Sequence, residues 1–243
     1  MKSATTPLTA RMLRSEQRVY ERVSGTFMPA YLGGGDEETP FIVIEDLAQA
    51  NWPPPWNPAT VDSVLDALAR LHAIPAPTDL LAPPSALVGW RMVADDPKPF
   101  LGLAIASEAW LARSLDRLLA GEAACPILDA LTHFDVRSDN ICCRGGTAKL
   151  VDWAEARPGN PELDVGFWLP SLAYEGGPAP EEILPDSPQV AACVSGYFAA
   201  RAGLSEIEDA PRVRGVQRAQ LSTALPWAVR ALELSPLDGR NAP

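Results

Sequence analysis

The first amphipathic stretch of the chain predicts a helix over residues 8–23 and places one acid on its apolar face. Leu13, Tyr20 and Val23 recur at helical spacing, and a Ser-Gly pair then ends the pattern. Glu16 falls on the same stripe. A carboxylate on an inward face destabilises a fold unless it is paired. Two interpretations stay open here: a glutamate that reaches water at the edge of the stripe, or an acid with a function.

A compact β-rich run over residues 41–45 follows, and turn residues flank it. The glycine-and-acid stretch at 33–38 predicts a turn before this strand, so we expect a hairpin. The next segment, AQANWPPPWNP, is too rich in proline for a helix or a central strand. We therefore predict a domain boundary there, with a small first domain over residues 1–47 and a larger one over 48–243.

The second predicted domain is mainly helical. Asn57 is expected to cap a helix whose apolar stripe runs from Val61 to Leu71, and a proline-rich linker follows at 75–84. Three further helices and two short strands are predicted: residues 107–119, 190–202 and 213–234, and residues 141–143 and 148–151. The pattern thus indicates an α+β protein.

The net charge of the chain limits the kinds of molecule that the protein is expected to bind. The chain has 31 acidic and 20 basic side chains, so its formal net charge is −11. Such a surface repels phosphate backbones, and we expect no nucleic-acid partner. Solubility explains the charge, and attraction of a cationic small molecule is the open alternative. The N-terminus lacks an apolar signal core and no apolar run approaches membrane-spanning length, so we expect a cytoplasmic protein without a membrane partner.

The four cysteines are expected to be reduced, packed thiols. The sequence contains no C-x-x-C pair, and two of the four are adjacent, at Cys142 and Cys143. Neighbouring residues of a strand point to opposite faces, which suits neither a zinc site nor a mutual disulfide. The sequence carries no signal for the oligomeric state.

The polar stretch LTHFDVRSDN, residues 131–140, holds the candidate chemistry. A tight turn and a short hairpin can bring Asp135, Asn140 and Asp152 to one place. Asp and Asn oxygens are hard ligands that suit Mg²⁺, and a nearby carboxylate that does not bind the metal can accept a proton from an alcohol. Phosphoryl transfer needs both features. A metal-hydrolase interpretation lacks ligands, because the only other histidine, His72, lies in a helical context.

The spacing H-x-D-x-x-x-x-N, then a strand and an Asp, is that of a kinase catalytic loop. With LTHFDVRSDNI, KLVDWAEARPGNPELDVG and FIVIEDL, the chain resembles the aminoglycoside phosphotransferase (small-molecule kinase) family over nearly its whole length. That resemblance implies a protein-kinase-like fold in which Asp135 is the catalytic base and Asn140 and Asp152 bind Mg²⁺. It also implies that His133 and Asp164 support the loop structurally.

The same resemblance implies an ATP site. The backbone at Glu45, Asp46 and Leu47 would hydrogen-bond adenine, as the segment between the two kinase lobes does. Lys2 would hold the phosphates and Glu16 would pair with it, which accounts for the acid on the inner stripe.

This chain departs from the family pattern at its start. Lys2 is its second residue, and no strand pair or glycine-rich loop precedes it. LGGG at 32–35 comes after the helix and is predicted to be a turn. Phe134 stands where the family usually has a small residue. We therefore expect an incomplete N-terminal lobe, and two explanations stay open: a start site placed too far downstream, or a remnant with little activity.

The predicted function is ATP- and Mg²⁺-dependent transfer of the γ-phosphate to a hydroxyl of a small molecule. An acidic acceptor pocket near Glu155 and Asp164 would suit an aminoglycoside-like cationic substrate. The alternative is a catalytically weak or inactive kinase-like module that lacks the glycine-rich loop. The sequence does not identify the acceptor.

Overall fold

The structure is a computed structural model that describes most of the chain: residues 1–36, 39–80, 88–208 and 210–242. The acids at 37–38 in the predicted turn and residues 81–84 of the predicted linker lie outside the described residues. The chain divides into two compact units, each built from two stretches: Met1–Pro84 with Leu128–Trp168, and Ser85–Ile127 with Leu169–Pro243. The predicted division at residue 47 falls inside the first unit and stays a prediction.

The described residues form a mixed α+β structure. In chain order its elements are β1 (Lys2–Ser3), α1 (Pro7–Arg22), β2 (Tyr31–Gly35), β3 (Phe41–Ile44), α2 (Pro58–His72), α3 (Gly89–Asp95), α4 (Lys98–Gly102), α5 (Glu108–Ala123), β4 (Ala130–Thr132), β5 (Ile141–Arg144), β6 (Thr147–Leu150), β7 (Arg157–Gly159), α6 (Pro161–Tyr174), α7 (Pro180–Ile183), α8 (Pro188–Ala202) and α9 (Val213–Ala231). The predicted helices and strands are thus confirmed, with ends shifted by a few residues.

Residues at the N-terminus of α1 determine where this helix begins. Thr6 caps α1, and its hydroxyl accepts the Thr9 backbone N–H at 3.1 Å, while the Thr9 hydroxyl accepts the Thr6 N–H at 2.9 Å. Pro7 occupies the first turn, where its missing N–H is harmless. The predicted inward stripe is buried, and it includes Glu16 at 1% exposure.

The three-stranded sheet has the order β1-β3-β2, and the predicted hairpin between β2 and β3 is confirmed. The predicted turn at 32–35 is wrong, because this stretch belongs to β2. Gly34 pairs with Ile42, and a Cβ atom on Gly34 would lie 2.6 Å from the carbonyl oxygen of Phe41. The glycine therefore permits a close approach of two strands there, and not a change of direction.

The second hairpin, β5 with β6, positions the end of the candidate site. Gly145 and Gly146 form its turn with φ of +59° and +79°, a backbone region that glycine enters at little cost. Asn51 pairs with Cys143 through two backbone hydrogen bonds of 2.8 Å. The segment after β3 is therefore attached to this hairpin.

In the second unit, α8 packs against α9, α3 and α5 around buried tryptophans. Two helices approach closely at Gly89 and Gly196, where a Cβ atom on Gly89 would lie 2.1 Å from the Gly196 carbonyl carbon. The four cysteines, all of which lie in the described residues, form no disulfide. Within the described ranges, no helix combines the length and the apolar character that a membrane crossing requires.

Candidate functional site

The loop after β4 is held by one buried carboxylate. Asp164, in the first turn of α6, is 1% exposed. Its Oδ2 accepts the backbone N–H of His133 at 2.9 Å, and its Oδ1 accepts that of Phe134 at 2.8 Å. His72, at the end of α2, places its Nε2 2.9 Å from the same Oδ2. These three contacts explain why a charged side chain is tolerated in the interior.

Phe134 has a strained backbone, with φ of +65°. This left-handed region is unfavourable for a residue with a bulky side chain. The surroundings offset the strain, because the Arg157 guanidinium lies 4.7 Å from the Phe134 ring centroid and the Phe167 ring lies 5.8 Å away. Glycine, which has no Cβ atom, would avoid this strain.

His133 links the loop to the end of β6. Its Nδ1 accepts the backbone N–H of Asp135 at 3.3 Å, and its Nε2 lies 3.0 Å from the carbonyl oxygen of Val151. An acceptor at Nδ1 requires the ring hydrogen to be on Nε2, where it is donated to Val151. The ring packs edge-on against Trp153 at 4.6 Å. These contacts are those of a buried structural histidine.

Asp135 and Asn140 are in direct contact. The Nδ2 group of Asn140 donates to the Oδ2 of Asp135 at 3.0 Å and to its backbone carbonyl at 2.9 Å. Both amide hydrogens are thereby used, so the amide oxygen of Asn140 is the atom left for a ligand. The backbone carbonyl of Asn140 accepts the N–H of Val151 at 2.9 Å, which ties the loop to the residue before Asp152.

Asp152 contacts a second group of residues, formed by Lys2 and Glu16. The Nζ of Lys2 lies 2.6 Å from Oε2 of Glu16 and 2.9 Å from Oδ1 of Asp152. Asp152 has a left-handed backbone with φ of +64°, a conformation that is uncommon for residues other than glycine. Strained backbone at a polar cluster is typical of functional sites.

Burial and ion pairing shift the pKa values of Lys2 and Glu16 in opposite directions. Burial lowers the pKa of Lys2, but Glu16 and Asp152 raise it more, so the net shift is upward. Burial raises the pKa of Glu16, and the nearby Lys2 offsets this only in part. The lysine is therefore held in its charged form, and the charge of Glu16 depends on keeping a partner.

The predicted hinge segment has its side chains anchored. Glu45 pairs with Lys149 at 2.8 Å and with Arg144 at 3.4 Å, and the hydrogen bond from Lys149 is the main cause that lowers the pKa of Glu45. Some backbone groups of this segment already form hydrogen bonds within the protein. The N–H of Glu45 donates to Ala30, and the carbonyls of Asp46 and Leu47 accept hydrogen bonds from Arg144 and Ala50.

The ion pairs of Glu45 with Lys149 and Arg144 should stabilise the fold at neutral pH and cease to do so in acid. A carboxylate whose folded pKa lies below its ordinary value of 4.5 stabilises the fold above that pH, and the contribution is lost as the pH falls through the folded pKa. We expect the melting temperature of the natural protein to exceed that of Glu45→Gln near pH 7. The difference should shrink as thermal melts are taken below pH 4.5 and disappear once the pH is below the folded pKa. A difference in melting temperature that stays constant across this pH range would contradict a stabilising role for the Glu45 carboxylate.

The predicted acidic acceptor pocket is not supported at its two named acids. Asp164 is buried and fully used within the loop. Glu155 is paired with Arg157, which also donates from Nε to the Glu155 carbonyl at 2.8 Å. Neither carboxylate therefore presents free negative charge to a cationic acceptor.

Three contributors were missed from the sequence. His72 and Arg157 anchor Asp164 and Phe134, and the Nε of Arg137 lies 3.5 Å from Oδ1 of Asp135. His72 follows Leu68 by four residues, so its place on the buried face of α2 was a usable signal. Arg157 had no such signal for its contact with Phe134, because Phe134 is distant in sequence and has a strained backbone.

Across the parts of the chain that the structure describes, no group of three or more His, Cys, Asp or Glu side chains is arranged to hold a metal ion. The predicted ligands are one amide and one carboxylate, Asn140 and Asp152. Mg²⁺ commonly has only one or two protein carboxylates, and phosphate and water oxygens complete its shell. Such a donor set therefore differs from a metal site built wholly from protein side chains.

Comparisons with known proteins show what the chain resembles. A hygromycin-B 4-O-kinase of Escherichia coli is 28% identical over 152 residues, which are 61% of this chain and 40% of that relative. Aminoglycoside phosphotransferase APH(4)-Ia, as a thermostable mutant in a ternary complex with ADP and hygromycin B, has a TM-score of 0.55 at 17% identity, over 91% of this chain and 82% of that one.

A choline/ethanolamine kinase family protein from Mesorhizobium loti has a TM-score of 0.52 at 18% identity, over 92% of this chain and 80% of that one. These likenesses confirm the predicted α+β, protein-kinase-like fold. The sequence model described as "APH: Phosphotransferase enzyme family" matches residues 2–204. The chain therefore belongs to the phosphotransferase enzyme family known as APH.

Proposed function

We propose that this chain is an ATP- and Mg²⁺-dependent phosphotransferase that transfers the γ-phosphate to a hydroxyl of a small molecule. One observation carries the proposal. Within the first unit, the Asp135 and Asn140 loop is bonded to Val151, and the next residue, Asp152, is paired with Lys2. A candidate base, two candidate metal ligands and a cation are therefore connected by hydrogen bonds and by the peptide bond between Val151 and Asp152.

Asp135 is proposed to orient and deprotonate the acceptor hydroxyl. Its carboxylate is about one-third exposed, so an incoming alcohol can reach it. The hydrogen bond from Asn140 fixes one carboxylate oxygen, and the Arg137 guanidinium lies beside the other. The contacts of His133 and Asp164 with the loop backbone support this orientation without touching the acceptor.

Asn140 and Asp152 are proposed to hold Mg²⁺. The amide oxygen of Asn140 is directed by the two hydrogen bonds that its Nδ2 makes, and the Asp152 carboxylate has one oxygen beyond the one that contacts Lys2. The residues present thus fit a hard cation. When bound, the ion supplies neutralisation of phosphate oxygens.

Lys2 and Glu16 are proposed to hold the nucleotide phosphates. Lys2 is 46% exposed on its side chain, while Glu16 is buried behind it, so the ammonium group is oriented from its inner side and open on its outer side. Its charge can therefore be shared with phosphate oxygens without breaking the pair with Glu16.

The segment from Glu45 to Leu47 is proposed to bind adenine. Among the described residues, the Glu45 carbonyl and the Leu47 N–H have no protein hydrogen-bond partner, although neighbouring groups do. One acceptor and one donor two residues apart suit the edge of a purine. The ADP in the APH(4)-Ia complex supports nucleotide use in this family.

The acceptor is proposed to be a small hydroxylated compound, with aminoglycoside-like cations among the candidates because of the hygromycin B in the same complex. The net charge of −11 disfavours nucleic acid as a partner. We further propose residues 1–47 and 48–243 as N-terminal and C-terminal lobes, and a cytoplasmic location without a membrane partner.

Mg-ATP should stabilise the chain against heat if the proposal holds. At a concentration 100 times the Kd, stabilisation is about 2.7 kcal/mol, which raises Tm by roughly 5–10 °C for a chain of this size. Asp152→Ala should abolish the Mg²⁺-dependent part of the shift. The matched control is Asp36→Ala, an exposed acid paired with Arg14, which should keep the full shift.

Two other outcomes decide between the candidates. A shift without consumption of ATP over a panel of hydroxylated amines would favour the alternative, a catalytically weak kinase-like module. No shift with Mg-ATP in the natural protein would exclude both the enzyme and the nucleotide-binding module.

A further inference from the structure

Phe134 combines a strained backbone with a side chain that burial does not explain. Its φ of +65° lies in the left-handed region, which is unfavourable for a residue with a Cβ atom and accessible to glycine. The residue is only half-buried, so the hydrophobic stabilisation that could offset the strain is limited. Packing of the core therefore does not account for a bulky, strained residue directly before the candidate base Asp135.

Arg157 is the charged group that contacts the Phe134 ring, and it is anchored from several sides. Its guanidinium lies 4.7 Å from the ring centroid, which is the geometry of a cation–π contact. Its Nε donates to the Glu155 carbonyl at 2.8 Å, and its guanidinium is also paired with the Glu155 carboxylate. Its own carbonyl accepts the Thr132 hydroxyl at 2.8 Å, where β7 pairs with β4. The Phe134 ring is therefore held by a side chain that is itself fixed.

The peptide between Phe134 and Asp135 is weakly held by hydrogen bonds. Among the described residues, its hydrogen bond is the one from the Asp135 N–H to Nδ1 of His133, which is long at 3.3 Å. The N–H of Phe134 is held more firmly, by Asp164 at 2.8 Å. With its N–H and its ring both held, Phe134 has one orientation, and its Cβ atom permits only a narrow range of ψ in the left-handed region. The direction of the backbone into Asp135 follows from this orientation.

Resting on the proposed function, we propose that Phe134 is a positioning residue whose ring, held by Arg157, fixes the direction of the backbone into the catalytic base Asp135. The Phe167 ring, 5.8 Å away and tilted by 52°, adds a second contact. The base is thereby oriented before an acceptor arrives. Because Arg157 begins β7, the contact also ties the catalytic loop to the segment that follows Asp152. Phe134 touches neither the nucleotide nor the acceptor; it acts through Asp135.

The test compares Phe134→Leu with Phe134→Tyr in the full chain. Both variants keep a Cβ atom and a large side chain, but only tyrosine keeps the aromatic face that the Arg157 guanidinium contacts. The activity measured is transfer from Mg-ATP to a panel of hydroxylated amines that includes hygromycin B. In Phe134→Leu we expect kcat to fall about tenfold, with the KM for ATP unchanged within about twofold. Phe134→Tyr should retain the natural values.

Amide hydrogen exchange gives a second readout that does not depend on turnover. In Phe134→Leu, exchange of the peptide covering residues 131–140, followed by mass spectrometry, should be about threefold faster than in the natural protein. In Phe134→Tyr it should be unchanged. Natural exchange rates in Phe134→Leu would contradict a loop that the ring holds in place.

Arg157→Gln probes the same contact from its other side and covers the case in which Phe134→Leu does not fold. It removes the cation but can still donate a hydrogen bond to Glu155. We expect a similar loss of kcat, and the double variant Phe134→Leu/Arg157→Gln should lose no more than either single variant. Losses that multiply in the double variant would show that the two residues act separately, and would overturn the proposal.

Tyr197→Leu is the matched control, because Tyr197 is also half-buried and its ring centroid lies 3.9 Å from the Arg201 guanidinium. It should leave kcat within about twofold. A natural kcat in Phe134→Leu, or an equal loss in Phe134→Tyr or Tyr197→Leu, would overturn the proposal and leave the proposed function intact. Absence of ATP turnover by the natural protein with every member of the panel would overturn both.

Discussion

Asp135→Asn is expected to lower kcat by about 10²–10⁴-fold while leaving the affinity for Mg-ATP within a few fold. The substitution removes the proton-accepting charge but keeps an oxygen that can accept the hydrogen bond from Asn140. Asp135 is half-buried at the surface of its loop, so the fold should tolerate the amide. The measurement is steady-state transfer from ATP to an acceptor, together with nucleotide titration.

The neighbouring acid Asp139 provides the control for this experiment. It is 65% exposed on its side chain and pairs with Arg137 at 2.8 Å, so Asp139→Asn alters the local charge equally. We expect it to change kcat by less than about threefold, in line with a screened surface pair. A loss in Asp139→Asn as large as in Asp135→Asn would show that general charge near the loop matters, and not a specific base.

Asp164→Ala should produce the largest loss of stability. Removal of this buried carboxylate leaves the backbone N–H groups of His133 and Phe134 without acceptors and takes the partner from His72. Unfolding free energy should fall by about 3–5 kcal/mol, as for other broken buried polar networks. Urea denaturation followed by circular dichroism measures the change.

Asp62→Ala is a suitable reference, because Asp62 is an exposed acid on α2, the helix that carries His72. Its effect should stay within about 0.5 kcal/mol. The pair Asp164→Ala and His72→Ala should be non-additive, since both act on one network. Additive losses from the two variants would contradict a shared network and would assign the effect of Asp164 to packing alone.

Local chemistry made α1 and its acid predictable. The capping residues, the proline in the first turn and the stripe from Leu13 to Val23 are all short-range features, and the structure confirms the helix within one residue at either end. The position of Glu16 on the buried face followed from helical periodicity. Its partner Lys2 came from the family resemblance, and the structure places the two in contact at 2.6 Å.

Two predictions failed at residues whose type fits more than one structural role. Glycine permits both turns and close strand pairing, and a single sequence cannot separate these for Gly33–Gly35, where the strand partner decides. Glu155 and Asp164 were expected to lie near an acidic acceptor pocket, and Asp164 was also expected to support the loop. Charge can be counted from sequence, but its availability depends on burial and on partners such as Arg157 and His72.

The amino-acid sequence determined the features that depend on spacing along the chain. These are the two hairpins, the helices, and the order of Asp135, Asn140 and Asp152 in a loop and the strand end that follows. Periodicity and turn chemistry act over a few residues, so they can be read without knowing which distant segments meet.

Only the tertiary structure decided which groups satisfy one another. It assigned Asp164 to the loop backbone and Lys2 to both Glu16 and Asp152. The physical reason is that hydrogen bonds and desolvation depend on distances of a few ångströms between residues far apart in the chain, and those distances exist only once the core has packed.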